Sequence, residues 1–107
     1  MTPQAFIEQK STQLVFFVES LLESAIPFSE VKLFTWDILE EWNRIQITCS
    51  EQSKTEQVFW HLFYLVQSET EQRFLHDKVF IMQVKECCRF LNEQLGDGPM
   101  FCVGIRP

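Results

Sequence analysis

The residues of this chain with the most chemistry to offer are its cysteines and histidines: Cys49, Cys87, Cys88, Cys102, His61 and His76. Thiolate and imidazole are the usual ligands of zinc, and a thiol beside a base is the usual apparatus of nucleophilic catalysis. Spacing supports neither use. A zinc site legible in sequence shows two close pairs, each bent around one ion. Here there is no Cys-x-x-Cys, no His-x-x-x-His and no second pair. Whether His61 or His76 approaches a cysteine in space is decided by folding and not by spacing. Cys87 and Cys88 fall within a helical pattern, where a cysteine acts as a small hydrophobe. His61 stands between Trp60 and Leu62 in the most apolar stretch, where one hydrogen bond would satisfy it. The sequence therefore predicts no metal ligand, no catalytic residue and no cofactor.

Carboxylates come next. Asp37, Glu40 and Glu41 share neighbouring faces of a helical segment, beside Trp36 and Trp42. A carboxylate-bridged di-metal centre needs Glu-x-x-His on facing helices, but the residues three before His61 and His76 are Val58 and Arg73. These carboxylates read as a solvated acidic stripe. Gly96, Gly98 and Gly104 all lie near the C-terminus, so no glycine-rich phosphate loop is present.

Charge narrows the partners. The net charge is −6 and the nine Lys/Arg are scattered, which argues against nucleic acid. Twelve Asp/Glu against five Lys/Arg precede Lys78, and three against four follow from there, so the acidity is concentrated in the first part. Such a surface suits a basic protein partner. The N-terminal residues show no secretory pattern, and the apolar runs Leu14–Val18 and Phe59–Val66 are too short for a membrane span. The expectation is a cytoplasmic protein with reduced thiols and no membrane partner.

The elements that must position these residues are helices. Thr2-Pro3 is a helix start, with Thr as N-cap and Pro where its missing N–H costs nothing. The stripe Phe6, Leu14, Phe17, Leu21 then predicts a helix over 3–24. Pro27 interrupts the pattern. Ser29 as N-cap, with Val31, Phe34, Ile38, Trp42 and Ile45 at helical spacing, predicts a second helix over 29–46, with Thr35 a candidate kink. Ser53 and Glu56 fit a capping box, and the nearly all-apolar run from Val58 to Val66 predicts a central helix over 54–67. From Ser68 to Leu95 there is no Gly or Pro, and Ile81, Val84, Cys88, Leu91 and Leu95 form a seam broadened by Phe80, Cys87 and Phe90. A break near Leu75-His76-Asp77 is expected, with Asp77 as the next cap, and Gly96 ends the helix. The tail Met100–Pro107 is apolar and should pack back on the helices or pair with another copy.

The fold expected is a single all-α domain, a bundle of four to five helices with an irregular apolar C-terminal tail. Eleven Phe and three Trp are a heavy aromatic load for 107 residues. The expected outlet for the surplus is a homodimer, the commonest oligomer, with absorption of all of it by the central helix as the alternative. The candidate partner or dimer surface comprises Phe16, Phe17, Trp36, Asp37, Glu40, Glu41 and Phe101. The function expected is that of a small interaction protein acting by binding, such as an adaptor or an immunity-type antagonist. Two alternatives stand beside it: an apolar ligand held among Trp36, Trp42, Trp60 and Tyr64, and an enzyme using a Cys or Glu of perturbed pKa.

Overall fold

In a computed structural model, which describes residues 2–45, 51–93, 98–102 and 104–107, the chain forms five helices. They are α1 (Pro3–Leu22), α2 (Phe28–Trp42), α3 (Lys54–Ser68), α4 (Glu71–His76) and α5 (Lys78–Glu93). The all-α bundle expected from sequence is what is found. Gln46–Ser50, Gln94–Asp97 and Val103 lie outside the described residues, and with them Cys49, Leu95 and the Gly96 stop.

Four of the five helices begin where a side chain takes up an orphan N–H. Thr2 accepts from Ala5 N at 3.1 Å, and Ser53 accepts from Glu56 N at 3.1 Å. Thr70 opens α4, and Asp77 accepts from Phe80 N at 3.1 Å to open α5, so the break expected at Asp77 is real. α2 departs from expectation. Its N-cap is Pro27, which lacks a capping hydrogen bond, and Ser29 lies within the first turn. The fixed φ of proline sets the chain direction, and Phe28 is already helical. α2 runs unbroken through Thr35 and ends at Trp42, short of the expected 46. α1 ends at Leu22, with Ser24 in the left-handed region at φ 59° while its N–H bonds Leu21 O.

α3 packs on α1, α2 and α5, so the helix that reads as apolar all round is the central one. Trp60 at its middle is fully buried, edge-to-face with Trp42 of α2 at 5.0 Å and with Phe59 and Phe63 of its own helix. Each buried ring of this size contributes on the order of 3 kcal/mol. On α5, Val84, Cys88 and Leu91 are buried as the seam predicts, with Phe80, Cys87 and Phe90 beside them. No helix among the described residues is long and apolar enough to cross a membrane.

The tail packs back on the bundle, as its apolar character predicts. Gly104 lies directly on the α3 backbone and donates its N–H to Gln57 O at 3.1 Å. Gln52 Nε2 donates to Gly104 O at 3.0 Å, and Lys54 Nζ to Cys102 O at 3.3 Å. The approach needs glycine: a Cβ at position 104 would lie 2.6 Å from Gln57 O and Trp60 C, and would also strike His61 N.

Candidate functional site

Two groups of polar side chains meet where the tail crosses α3. The first is a buried clamp. Glu56, 4% exposed, accepts from Trp60 Nε1 at 3.1 Å and pairs with Arg106 through two bonds. Arg106 Nη2 donates to Glu56 Oε1 at 2.9 Å, and Arg106 Nε donates to Oε2. Arg106 also reaches Glu51 O at 3.2 Å and stands over the Trp42 ring at 5.8 Å. This fork fixes the end of the tail. The Ser53-Glu56 spacing reads as a capping box, but only half of one is realised: the Glu56 side chain turns inward to Trp60 and Arg106. A cleft of about 420 Å³ between the N-terminal ends of α1 and α3 has Glu56, Arg106, Glu8 and Glu51 in its lining.

The second group joins three elements. α3 supplies His61, α5 supplies Cys87 and the tail supplies Cys102, and one donor atom from each lies within 4.8 Å of the others. Both thiols are wholly buried, and their sulfurs share a hydrogen bond at 3.1 Å. The His61 ring is half-buried, with Phe101 edge-on at 5.8 Å. The two sulfurs divide the acid–base work. Cys102 is pushed toward the thiolate by the Cys87 hydrogen bond, and then by His61 and by the Lys54 charge, against the opposing effect of its burial. Cys87 is pushed up, first by the same hydrogen bond and then by burial. The next residue gives the contrast. Cys88 is buried away from the cluster, and burial raises its thiol to about 12, as for an inert core cysteine.

Spacing could not show this cluster, because its members come from separate elements and no two are close in sequence. The only signal was chemical: a histidine inside an apolar helix, and a cysteine in an apolar tail that had to pack somewhere.

The residues of the expected partner surface come from α1, α2 and the tail. Trp36 is 60% exposed on the outward side of α2, with Leu33, Asp37 and Glu40 exposed on the same helix. Glu40 pairs with Arg44 one turn on, while Glu41 pairs with Lys10 and ties α2 to α1. Phe17 is half-buried and stacked on Phe34 at 4.5 Å, and Phe16 is 66% exposed on α1. Phe101 belongs with His61 in the tail. Beside Trp36, a cleft of about 230 Å³ is lined by Lys32, Thr35 and Gln67. The Gln67 Nε2 donor is buried there and has no acceptor among the described residues. The four rings expected to wall an internal pocket, Trp36, Trp42, Trp60 and Tyr64, lie at different depths. Trp42 and Trp60 are packed solid in the core, and of the four only Trp36 lines the α2–α3 cleft. Comparison of the chain with family models, with curated proteins and with solved structures finds no match.

Proposed function

We propose that this protein acts by binding another protein through the outward face of α2, and not by catalysis. The observation that carries the reading is the Trp36 cleft. Trp36 stands exposed to solvent beside a cleft that Lys32, Thr35 and Gln67 also line. Exposed tryptophan is the commonest anchor of a binding hot spot. Leu33 widens the apolar centre, and Asp37 and Glu40 supply an acidic rim. With the chain's net −6 charge, this rim favours a basic partner protein over nucleic acid. The cytoplasm, where the free thiols of Cys87, Cys88 and Cys102 would persist, is the compartment that fits this role. The module would serve as an adaptor or an antagonist.

A photo-crosslinking residue at position 36, with one at the equally exposed position 79 as control, tests the reading in the source cells. A basic protein joined from position 36 and not from 79 supports it, and equal labelling from both overturns it. A second reading has its own observation. Phe16, exposed on α1, stands edge-to-face on Phe17 at 6.1 Å, which stacks on Phe34, an aromatic ladder leading out of the core that a second copy of the chain could cover. Light scattering on the reduced protein decides it. Twice the 12.7 kDa chain mass, lost in Phe16→Ser, supports the homodimer, and a monomer at high concentration removes it.

A further inference from the structure

We propose that His61, Cys87 and Cys102 form a binding site for a single zinc(II) ion, with three protein ligands and one coordination position left for water or an outside ligand. The argument begins with donor chemistry. Two thiols and one imidazole are a borderline-soft N/S set of the kind zinc prefers over harder cations, which take oxygen. Convergence is the second strand. α3, α5 and the tail each bring one donor, and all three atoms fall within 4.8 Å. Core packing alone does not require this, as Cys88 shows one residue away, buried without joining the cluster.

Dimensions are the third strand. With Zn–S of about 2.3 Å and Zn–N of about 2.0 Å at tetrahedral angles, donors sit roughly 3.8 Å apart for S···S and roughly 3.6 Å for S···N. The sulfurs now stand 3.1 Å apart, so they must open by roughly 0.7 Å. The nitrogen, at most 4.8 Å from either sulfur, must close by no more than roughly 1.2 Å. Binding replaces the S–H···S hydrogen bond with two Zn–S bonds and releases the thiol protons to solvent. Because one ligand is in the tail, the ion would also bolt residues 98–107 to α3 and α5. Among the described residues the group has three protein ligands.

The test uses the full chain, reduced and stripped of metal. Zinc(II) is titrated against a chromophoric chelator, and cobalt(II) serves as the spectroscopic probe. The expected result is one ion per chain, with cobalt giving the intense visible bands of a tetrahedral site and sulfur-to-cobalt charge transfer in the near ultraviolet. Cys87→Ser and His61→Gln should each weaken binding by about 100-fold or more, since even partners outside the ligand shell cost up to that factor. Cys88→Ser should bind as the parent does. Circular dichroism confirms that each variant is folded, and His61→Gln, at a half-buried position, keeps the test available if the serine variant unfolds. The proposal is overturned by an absence of stoichiometric binding, by a cobalt spectrum of octahedral type, or by binding that survives Cys87→Ser.

Discussion

Replacing Arg106 by alanine isolates the clamp that holds the tail. The Glu56 carboxylate is 4% exposed as a residue, and Arg106 is its only cationic partner among the ion pairs of the described residues. Removing one member of a buried pair leaves the other uncompensated, at about 3–5 kcal/mol. The Arg106 side chain retains 14% of its exposure, so water can reach part of the gap, and the lower end, about 3 kcal/mol, applies. For a domain of this size that corresponds to a fall in Tm of roughly 12–20 °C. Arg106→Lys keeps the charge but loses the two-pronged geometry and should cost about half as much. Glu56→Gln retains an acceptor for Trp60 Nε1, and the double variant with Arg106→Ala should show a coupling energy of about 2 kcal/mol. Urea and thermal denaturation of the parent and the four variants at neutral pH provide the numbers. A fall in Tm of under about 5 °C for Arg106→Ala, with coupling near zero, would refute the reasoning: the pair would then be a surface ion pair in effect, worth under about 1 kcal/mol.

Three further perturbations probe the supporting geometry. Gly104→Ala drives a Cβ into the α3 backbone and should cost about 1–3 kcal/mol in urea denaturation while speeding alkylation of Cys102 as the tail lifts. Ser24→Gly relieves a left-handed residue at the end of α1 and should stabilise by about 0.5–1 kcal/mol, raising Tm. The Asp77 carboxyl is held below its ordinary 3.8, first by the Phe80 backbone N–H and then by the Arg73 side chain. Its contribution is therefore complete above that ordinary value and is lost as pH falls through the lower folded-state value. The stability gap between parent and Asp77→Ala should be constant near neutrality and vanish in acid, and denaturation curves across that range would show it.

Local signals in the sequence were dependable, and signals between elements were not. Thr2-Pro3, Ser53 and Asp77 announced three helix starts because an N-cap is a contact between neighbours in sequence. The seam Val84, Cys88, Leu91 was readable for the same reason. Ser29 misled because Pro27, two residues earlier, had already set the direction of α2. The central role of α3 followed from its lack of a polar face. By contrast, Glu56 looked like a capping residue and Arg106 like one scattered charge, since their pairing depends on the tail folding back across fifty residues of chain. The convergence of His61, Cys87 and Cys102 was hidden for the same reason: metal-ligand spacing is diagnostic only when ligands share a loop or a helix turn. Surface anchors were partly legible. Trp36, Asp37 and Glu40 are exposed together on α2, whereas Phe17 is stacked against Phe34 and Phe101 lies on His61 in the tail.

Binding through the α2–α3 cleft is tested by isotherms of the partner crosslinked from position 36, measured against parent, Trp36→Ala and Gln67→Leu proteins at low and high salt. A hot-spot anchor predicts at least about 2 kcal/mol, roughly 30-fold weaker binding, for Trp36→Ala. Gln67→Leu should weaken binding to a lesser degree, and rising salt should slow association through the acidic rim. Affinity unchanged by Trp36→Ala, with both variants folded, would contradict the claim and move the interface elsewhere on the molecule.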